Sequence, residues 1–231
     1  MGMAQNRRQE FKERKQAYVQ EEILLSAVTL FAHRGFRAVT IDEIASSLGY
    51  TKSVIYYYFR SKGDILRQIF SRNYDEYFCT FKSVSELGLG PKDMLKHLLR
   101  EHALNVMERP EWNAIYWREE SELEDQQRQE MVSRKRDYAS KLESIYALGI
   151  EAGEVRPIPP GVAVRAMLGM INSSYTWFKP NGLLPSSGVA EHFVDMLMGG
   201  FASEEATAAA GLSRRSNPAG DRQPTDGPPG S

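Results

Sequence analysis

Apolar residues recur every three or four positions along most of this chain, and no stretch alternates as a strand would. That periodicity restricts the fold to an all-α architecture. The 231 residues allow one large domain or two modest ones, and an apolar fraction of 42% suffices for a buried core. The most apolar run, 162–171, is interrupted by Arg165 and falls short of the ~20 residues a bilayer-crossing helix needs. Residues 1–20 hold no apolar stretch followed by a small-residue cleavage site. The single cysteine, Cys79, excludes an internal disulfide and any cysteine-built metal centre. It reads as a buried structural thiol in a reducing compartment. The expectation is a soluble, cytoplasmic protein with no membrane contact, no metal and no cofactor.

A first helix is predicted over about 18–33, with Ile23, Ala27, Leu30 and Phe31 on one face and Gly35 closing it. Thr40-Ile-Asp-Glu43 has the spacing of a capping box and opens a second short helix, whose inner face is Ile41, Ile44, Ala45 and Leu48. Gly49 ends it. After a two-residue turn Thr51 caps a third helix, 52–58, and Ser61 caps a fourth that runs toward Phe81. Residues 83–90 read as a loop, and Pro91 and Pro110 suit the first turns of two further helices. One long helix follows over 122–152. After Pro157, Pro159 and Pro160 come two apolar helices, about 162–178 and 189–201. Beyond Ser203 the composition is that of a disordered tail.

The segment 40–66 carries the sharpest chemistry. Two short helices joined by a tight glycine turn form a helix-turn-helix, which delivers one helix into a DNA major groove. Ile55 and Phe59 pack inward against Ile44 and Leu48, leaving Thr51, Lys52, Ser53, Val54, Tyr56 and Tyr57 outward. Hydroxyls and an ammonium suit phosphates, Val54 suits a thymine methyl and Tyr56 a base edge. Thr40 and Lys62 stand at helix N-termini, where backbone N–H groups favour a phosphate. Burial fits Tyr58 and Phe59, but the consecutive Tyr56 and Tyr57 cannot both face a core. Charge supports the same end of the chain. Residues 1–70 hold eleven basic and seven acidic side chains, +4, and the remainder carries −5. Arg7, Arg8, Lys12, Arg14 and Lys15 either track phosphates or belong to a solvated arm.

Phe31, Gly35, Phe36, Thr40, Ile44, Ala45, Gly49, the run Thr51 to Phe59, and Ser61-Lys62 together resemble the TetR family of transcriptional regulators. Tyr50 and Val54 stand where that family more often has valine and a small or hydroxyl residue. The resemblance implies a two-fold dimer that presents two recognition helices to one operator, built by pairing the last two helices with their copies. Apolar residues on several sides of those helices agree with it: Val162, Ala166, Met167, Met170, Ser174 and Phe178 on one face, Val164, Leu168, Ile171, Tyr175 and Trp177 on others, then Phe193, Val194, Met196, Leu197 and Met198. A central core helix in a monomer is the alternative. The middle helices then form an effector chamber with walls from Phe78, Phe81, Leu98, His102, Met107, Trp112, Tyr116 and Trp117, each of which ordinary core packing explains equally.

The stretch 116–120, the Gly149-to-Gly153 helix end and 177–180 are similar to an acyl-CoA-responsive subgroup of lipid-catabolism repressors. That similarity implies contacts from Arg118, Arg128, Arg134, Lys135 or Arg136 to coenzyme A phosphates, unless these pair with nearby glutamates. The resulting partition is a basic flexible arm (1–17), a three-helix helix-turn-helix domain (18–78), a helical ligand-binding and dimerisation domain (79–202) and a disordered tail (203–231), about nine helices in all. The rival class is a helical small-molecule-binding protein or enzyme without DNA binding. Against an enzyme, the chain has no nucleophile-elbow, phosphate-loop or dinucleotide fingerprint, and no histidine follows a glutamate by three residues. The expected mechanism is a repressor whose fourth helix moves when ligand enters, separating the two recognition helices.

Overall fold

In the computed structural model, which describes residues 2–199, the first helix, α1 (Gly2–Arg34), runs unbroken through the segment expected as a flexible arm. The earlier helix start has a simple cause. Residues 5–17 are mostly Gln, Arg, Glu, Lys and Ala, which lose little rotamer freedom in a helix, and no proline or glycine interrupts them. Gln9 Nε2 donates to Glu13 Oε1 one turn on, at 2.8 Å. Lateral bonds then hold the helix: Gln16 Nε2 to the Tyr57 hydroxyl (2.9 Å) and Gln20 Nε2 to Gln68 Oε1 (2.8 Å).

Gly35, at φ +82°, turns the chain out of α1. The predicted capping box is present. Thr40 Oγ1 accepts from the Glu43 N–H at 3.2 Å, and the Glu43 carboxylate accepts from the Thr40 N–H at 2.8 Å, opening α2 (Ile41–Ser47). That exchange, together with Arg34, holds the Glu43 carboxyl well below its usual range. Thr51 precedes α3 (Lys52–Tyr58) in extended backbone but, against expectation, gives no side-chain cap. Ser61 Oγ accepts from the Asp64 N–H at 3.1 Å and opens α4 (Lys62–Ser85). Ile23, Ala27, Phe31, Ile44, Ile55, Phe59 and Leu66 seal the core among these four helices.

α4 runs past Phe81 and crosses position 78/79 without a break. α5 (Pro91–Glu108) and α6 (Pro110–Arg118) start at the anticipated prolines. A 3-10 turn, Glu120–Glu122, comes next. The predicted long helix begins later, as α7 (Asp125–Glu151), because Glu124 and Gln127 form their own capping box. α8 (Pro160–Asn172) also stops short of Phe178 and continues as a 3-10 turn, Ser173–Thr176. The hydroxyls of Ser173, Ser174 and Thr176 donate to carbonyls three residues back, at 2.7–2.8 Å, and so tighten the helix end. α9 (Ser186–Gly199) is the last described helix; its predicted extension to residue 201 and the predicted tail, 203–231, lie outside the described residues.

α7 packs on α5 and α8, α4 lies against α5 and α7, and α1 reaches both α2 and α6. Residues through Met198 cluster as one unit, with no seam at 78/79. Cys79 is exposed, contrary to its expected burial, because it falls on the outer side of α4 between the inward Tyr77 and half-buried Thr80.

Candidate nucleic-acid interface and internal chamber

Ile55 anchors α3 in the core with no exposure, so the rest of this two-turn helix must face away from it. Thr51, Lys52, Ser53, Tyr56 and Tyr57 are exposed, and Val54 is half-buried beside them. Tyr56 is 49% and Tyr57 67% accessible, a large cost in apolar exposure for a free-standing surface. Tyr58 is half-buried and Phe59 fully buried. Lys52 Nζ reaches Asp42 Oδ2 at 2.9 Å, which raises the lysine pKa. Tyr57 accepts from Gln16, so α1 braces one end of the exposed face. Thr40 is exposed at the start of α2.

Lys62 stands at the start of α4, and its side chain turns inward. Its ammonium donates to the carbonyls of Phe36 and Val39, both at 2.7 Å, and lies 4.3 Å from the Phe36 ring centroid. Burial lowers its pKa. Its work is to pin the α1–α2 turn onto the start of α4.

A cavity of about 270 Å³ lies between α4, α5, α6, α7 and α8. Of the eight wall residues anticipated, His102, Tyr116 and Trp117 line it. Leu98, Met107 and Trp112 are buried in the core, with Arg109 over the Trp112 ring. Phe78 packs edge-on to Tyr138, and Phe81 lies under Lys141. The sequence reading missed Asn73, Tyr74 and Tyr77 from α4, Asn113 from α6, Tyr138 and Ala139 from α7, and Leu168 and Asn172 from α8 as walls, and it expected Lys135 at a coenzyme A phosphate. Asn73 was findable: it continues the buried Phe70–Tyr77 stripe at helical spacing, and a polar residue in such a stripe calls for a partner.

The chamber is ordered by two hydrogen-bond groups. His102 stacks on Tyr77 at 4.4 Å, and burial pushes its pKa down to about 4. The neutral ring carries one N–H. Asn172 Oδ1, 2.8 Å from Nε2, can only accept, so the hydrogen is on Nε2 and Nδ1 accepts from the Tyr138 hydroxyl at 3.2 Å. Tyr74 and Tyr116 meet hydroxyl to hydroxyl at 2.6 Å, and burial raises the Tyr74 and Tyr138 pKa values. At the rim Lys135 Nζ donates to Glu120 Oε2 at 2.6 Å and sits over the Tyr116 ring; burial lowers its pKa.

The other basic residues named for coenzyme A phosphates are mostly engaged. Arg128 pairs with Asp125, Arg134 with Asp75, and Arg118 donates to the Ala32 carbonyl at 2.8 Å; Arg136 is exposed. The Arg118–Ala32 bond is one of several that join α1 and the turn after it to the body. Thr29 Oγ1 donates to Glu111 at 3.1 Å, and Arg37 Nε to Glu122 Oε1 at 2.9 Å. Among the described residues no His/Cys/Asp/Glu group could hold a metal ion, and no helix is long and apolar enough to cross a membrane.

Comparison with known proteins matches both ends of this arrangement. Residues 23–69 match the model for bacterial regulatory proteins of the tetR family, and residues 88–201 the tetracyclin repressor-like C-terminal domain. The HTH-type transcriptional repressor KstR2 of Mycolicibacterium smegmatis is 25% identical over 187 residues, 80% of this chain and 91% of that protein. A TetR/AcrR-family regulator from Thermobifida fusca is 30% identical, with a TM-score of 0.67 over 80% of this chain and 98% of that one. AibR, solved with isovaleryl coenzyme A and operator DNA, is 28% identical, with a TM-score of 0.71 over 79% and 99%. With the helix-turn-helix, the helical body and these relatives in agreement, the chain belongs to the TetR family of bacterial transcriptional regulators.

Proposed function

We propose that this regulator is a cytoplasmic homodimeric repressor, not an enzyme, that leaves its operator when a small hydrophobic or acyl-CoA-type effector enters the chamber. The observation that carries this reading is the continuity of α4. Its first turn is pinned by Lys62 under the helix-turn-helix, and the same helix lines the chamber with Asn73, Tyr74 and Tyr77. Eleven residues separate Lys62 from Asn73, about 16 Å along a helix, so a displacement at the chamber wall is delivered as a rigid tilt at the DNA module.

Operator contacts are assigned to Thr40, Thr51, Lys52, Ser53, Val54, Tyr56, Tyr57 and, through the backbone N–H groups at the start of α4, Lys62, whose ammonium is held by the Phe36 and Val39 carbonyls. Residues 18–78 and 79–202 are then the DNA-binding and the effector and dimerisation parts, sharing α4. The dimer reading rests on α8, where Val162, Ala166 and Gly169 form an exposed stripe of helical spacing, followed by exposed Ser173 on the 3-10 turn and Trp177 just after it. Gly169 has open space where a Cβ would stand, so a second helix can approach closely. Val164, Met167 and Ile171 face the protomer's own core instead. An acyl-CoA effector agrees with the isovaleryl coenzyme A bound to AibR; the 270 Å³ cavity admits the acyl end, leaving the nucleotide outside.

The test is fluorescence anisotropy on labelled DNA from upstream of the protein's own coding sequence. Sequence-selective binding that weakens with salt, and is released by a subset of acyl-CoA thioesters, is expected. Absence of selective binding there and at neighbouring promoters overturns the reading.

A further inference from the structure

Most of the positive charge in the first seventy residues lies outside the helix-turn-helix. Residues 2–16 hold five basic and two acidic side chains, whereas residues 17–70 hold six and five. Five of those six later cations are already engaged. Arg34 pairs with Glu43, Arg37 with Glu122, Lys52 with Asp42 and Arg67 with Asp64. Lys62 is held by two carbonyls. A protein binds duplex DNA in large part by replacing condensed counterions with its own cations, and this module has few to spare.

The first half of α1 brings further cations to the edge of the exposed α3 face. Thr29 bonds to Glu111 of α6 and Ala32 to Arg118, which ties the C-terminal half of α1 to the body. About 20 Å earlier along the helix, Gln16 donates to the Tyr57 hydroxyl. Residues 2–15 continue α1 beyond that bond by about 21 Å. Lys12 stands one turn before Gln16 and Lys15 next to it, both exposed. Neither has an acidic residue three or four positions away to pair with along the helix. They are also three apart from each other, so their mutual repulsion opposes the helix in the free protein. Arg7 and Arg14 lie on the opposite side of α1 from Gln16. Glu10 stands three residues after the first and four before the second, and shares a groove with both. Glu13, the other acid, accepts from Gln9.

We infer that the first half of α1 is a second DNA-contacting element, in which Lys12 and Lys15 meet the duplex phosphates that flank the segment read by α3. These contacts carry no sequence information; they supply affinity that the helix-turn-helix, with most of its cations paired, lacks. Their own lack of acidic partners means that no ion pair is broken when they reach a phosphate. This inference rests on reading α3 as the DNA-contacting helix and specifies where the electrostatic share of binding comes from.

The experiment is fluorescence anisotropy of the full-length protein across a salt series, on two labelled duplexes of equal length. One comes from upstream of the protein's own coding sequence and the other is of unrelated sequence. In the double variant Lys12→Gln with Lys15→Gln, the slope of log K against log salt should be shallower by about 2 on both duplexes. Its deficit in affinity should narrow by about tenfold between about 50 and 200 mM salt. Arg7→Gln with Arg14→Gln removes the same charge from the other side of the helix and should leave the slope within about 0.5 of the parent's. Glutamine is a good helix former, so helical signal and melt should match the parent. If the lysine pair does not match them, the two single changes, each expected to lower the slope by about 1, take its place. An unchanged slope in the lysine variants, equal losses in the lysine and arginine pairs, or a loss confined to one sequence overturns the inference. A parent that binds both duplexes alike overturns the operator reading, while the lysine variants still decide this one; a parent that binds neither overturns both.

Discussion

Arg37, on the turn between α1 and α2, donates its Nε–H to Glu122 on the 3-10 turn that follows α6, at 2.9 Å. Two residues earlier on that turn, Glu120 holds Lys135 of the chamber rim. One three-residue turn thus touches both the helix-turn-helix module and the rim of the internal chamber, which α4 also joins. The pair is surface-exposed on the arginine side, so its worth to stability is small. Glu122→Gln should leave the unfolding free energy within about 1 kcal/mol of the parent. It should reduce effector-driven release of DNA by about fivefold, the lower end of ordinary allosteric couplings. Anisotropy titrations with and without a releasing ligand read this, and an undiminished response removes the turn from the route.

Lys52 sits on the exposed face of α3 but is held by Asp42 in the free protein. Bringing it to a phosphate trades one partner for another. Lys52→Ala should weaken binding to every DNA sequence alike and lower the slope of log K against log salt by about 1. Asp42→Asn should do the opposite at low salt, by releasing the ammonium and removing a negative charge from the face. A sequence-dependent loss in Lys52→Ala would instead make it a base-reading residue.

Lys62 separates a structural from an electrostatic role. Its ammonium satisfies the Phe36 and Val39 carbonyls, and Lys62→Met leaves both without that donor. The expected loss is about 1–3 kcal/mol in urea unfolding, with the salt slope of DNA binding unchanged. A stable variant with a shallower slope would mean that the ammonium itself reaches a phosphate.

The N-terminal module was legible because its determinants are local. A capping box, glycines at two turns and apolar spacings of three and four are properties of neighbouring residues, and Thr40, Gly35 and Ile55 behave as they predict. What the Lys62 side chain does was not legible, because a helix N-terminus says nothing about which carbonyls a long side chain can reach from it. The start of α1 was set too late: residues 9–15 are exposed as their charge suggested, while the run of good helix formers and the bond from Gln16 to Tyr57 extend the helix. The chamber was least legible. Its lining comes from five helices, and whether Met107 or Tyr77 faces the void depends on how those helices rotate against one another. Periodicity identifies a buried face without saying which part of it stays unfilled.

Ala166 lies exposed in the middle of the α8 stripe, where it contributes nothing to the protomer core. Ala166→Glu places a charge at the proposed dimer seam without creating a cavity. Light scattering should show monomers at micromolar concentration, with the parent's helical signal retained, and operator affinity should fall by at least tenfold because one half-site is lost. An intact dimer would place the interface elsewhere.

His102 gives the protein a pH dependence whose sign is fixed by its burial. The pKa falls from 6.5 to about 4 in the folded chain, so the unfolded chain takes up the proton first. Stability is then unaffected above pH 7 and declines as pH falls through 6.5 toward 4. Tyr77 from α4, Tyr138 from α7 and Asn172 from α8 face the ring and carry no charge that would rescue the protonated form. Between pH 7 and pH 5 the loss should be about 2 kcal/mol. Glu43 acts in a separate window, since its depressed carboxyl contributes above pH 4.5 and loses that only on further acidification. Urea unfolding at pH 7, 6 and 5, at fixed protein concentration, should therefore show the decline in the parent and a flatter profile in His102→Gln, whose amide retains hydrogen-bonding capacity without titrating. A parallel decline in both proteins would mean that the imidazole is hydrated, or finds a counter-charge, once it is protonated.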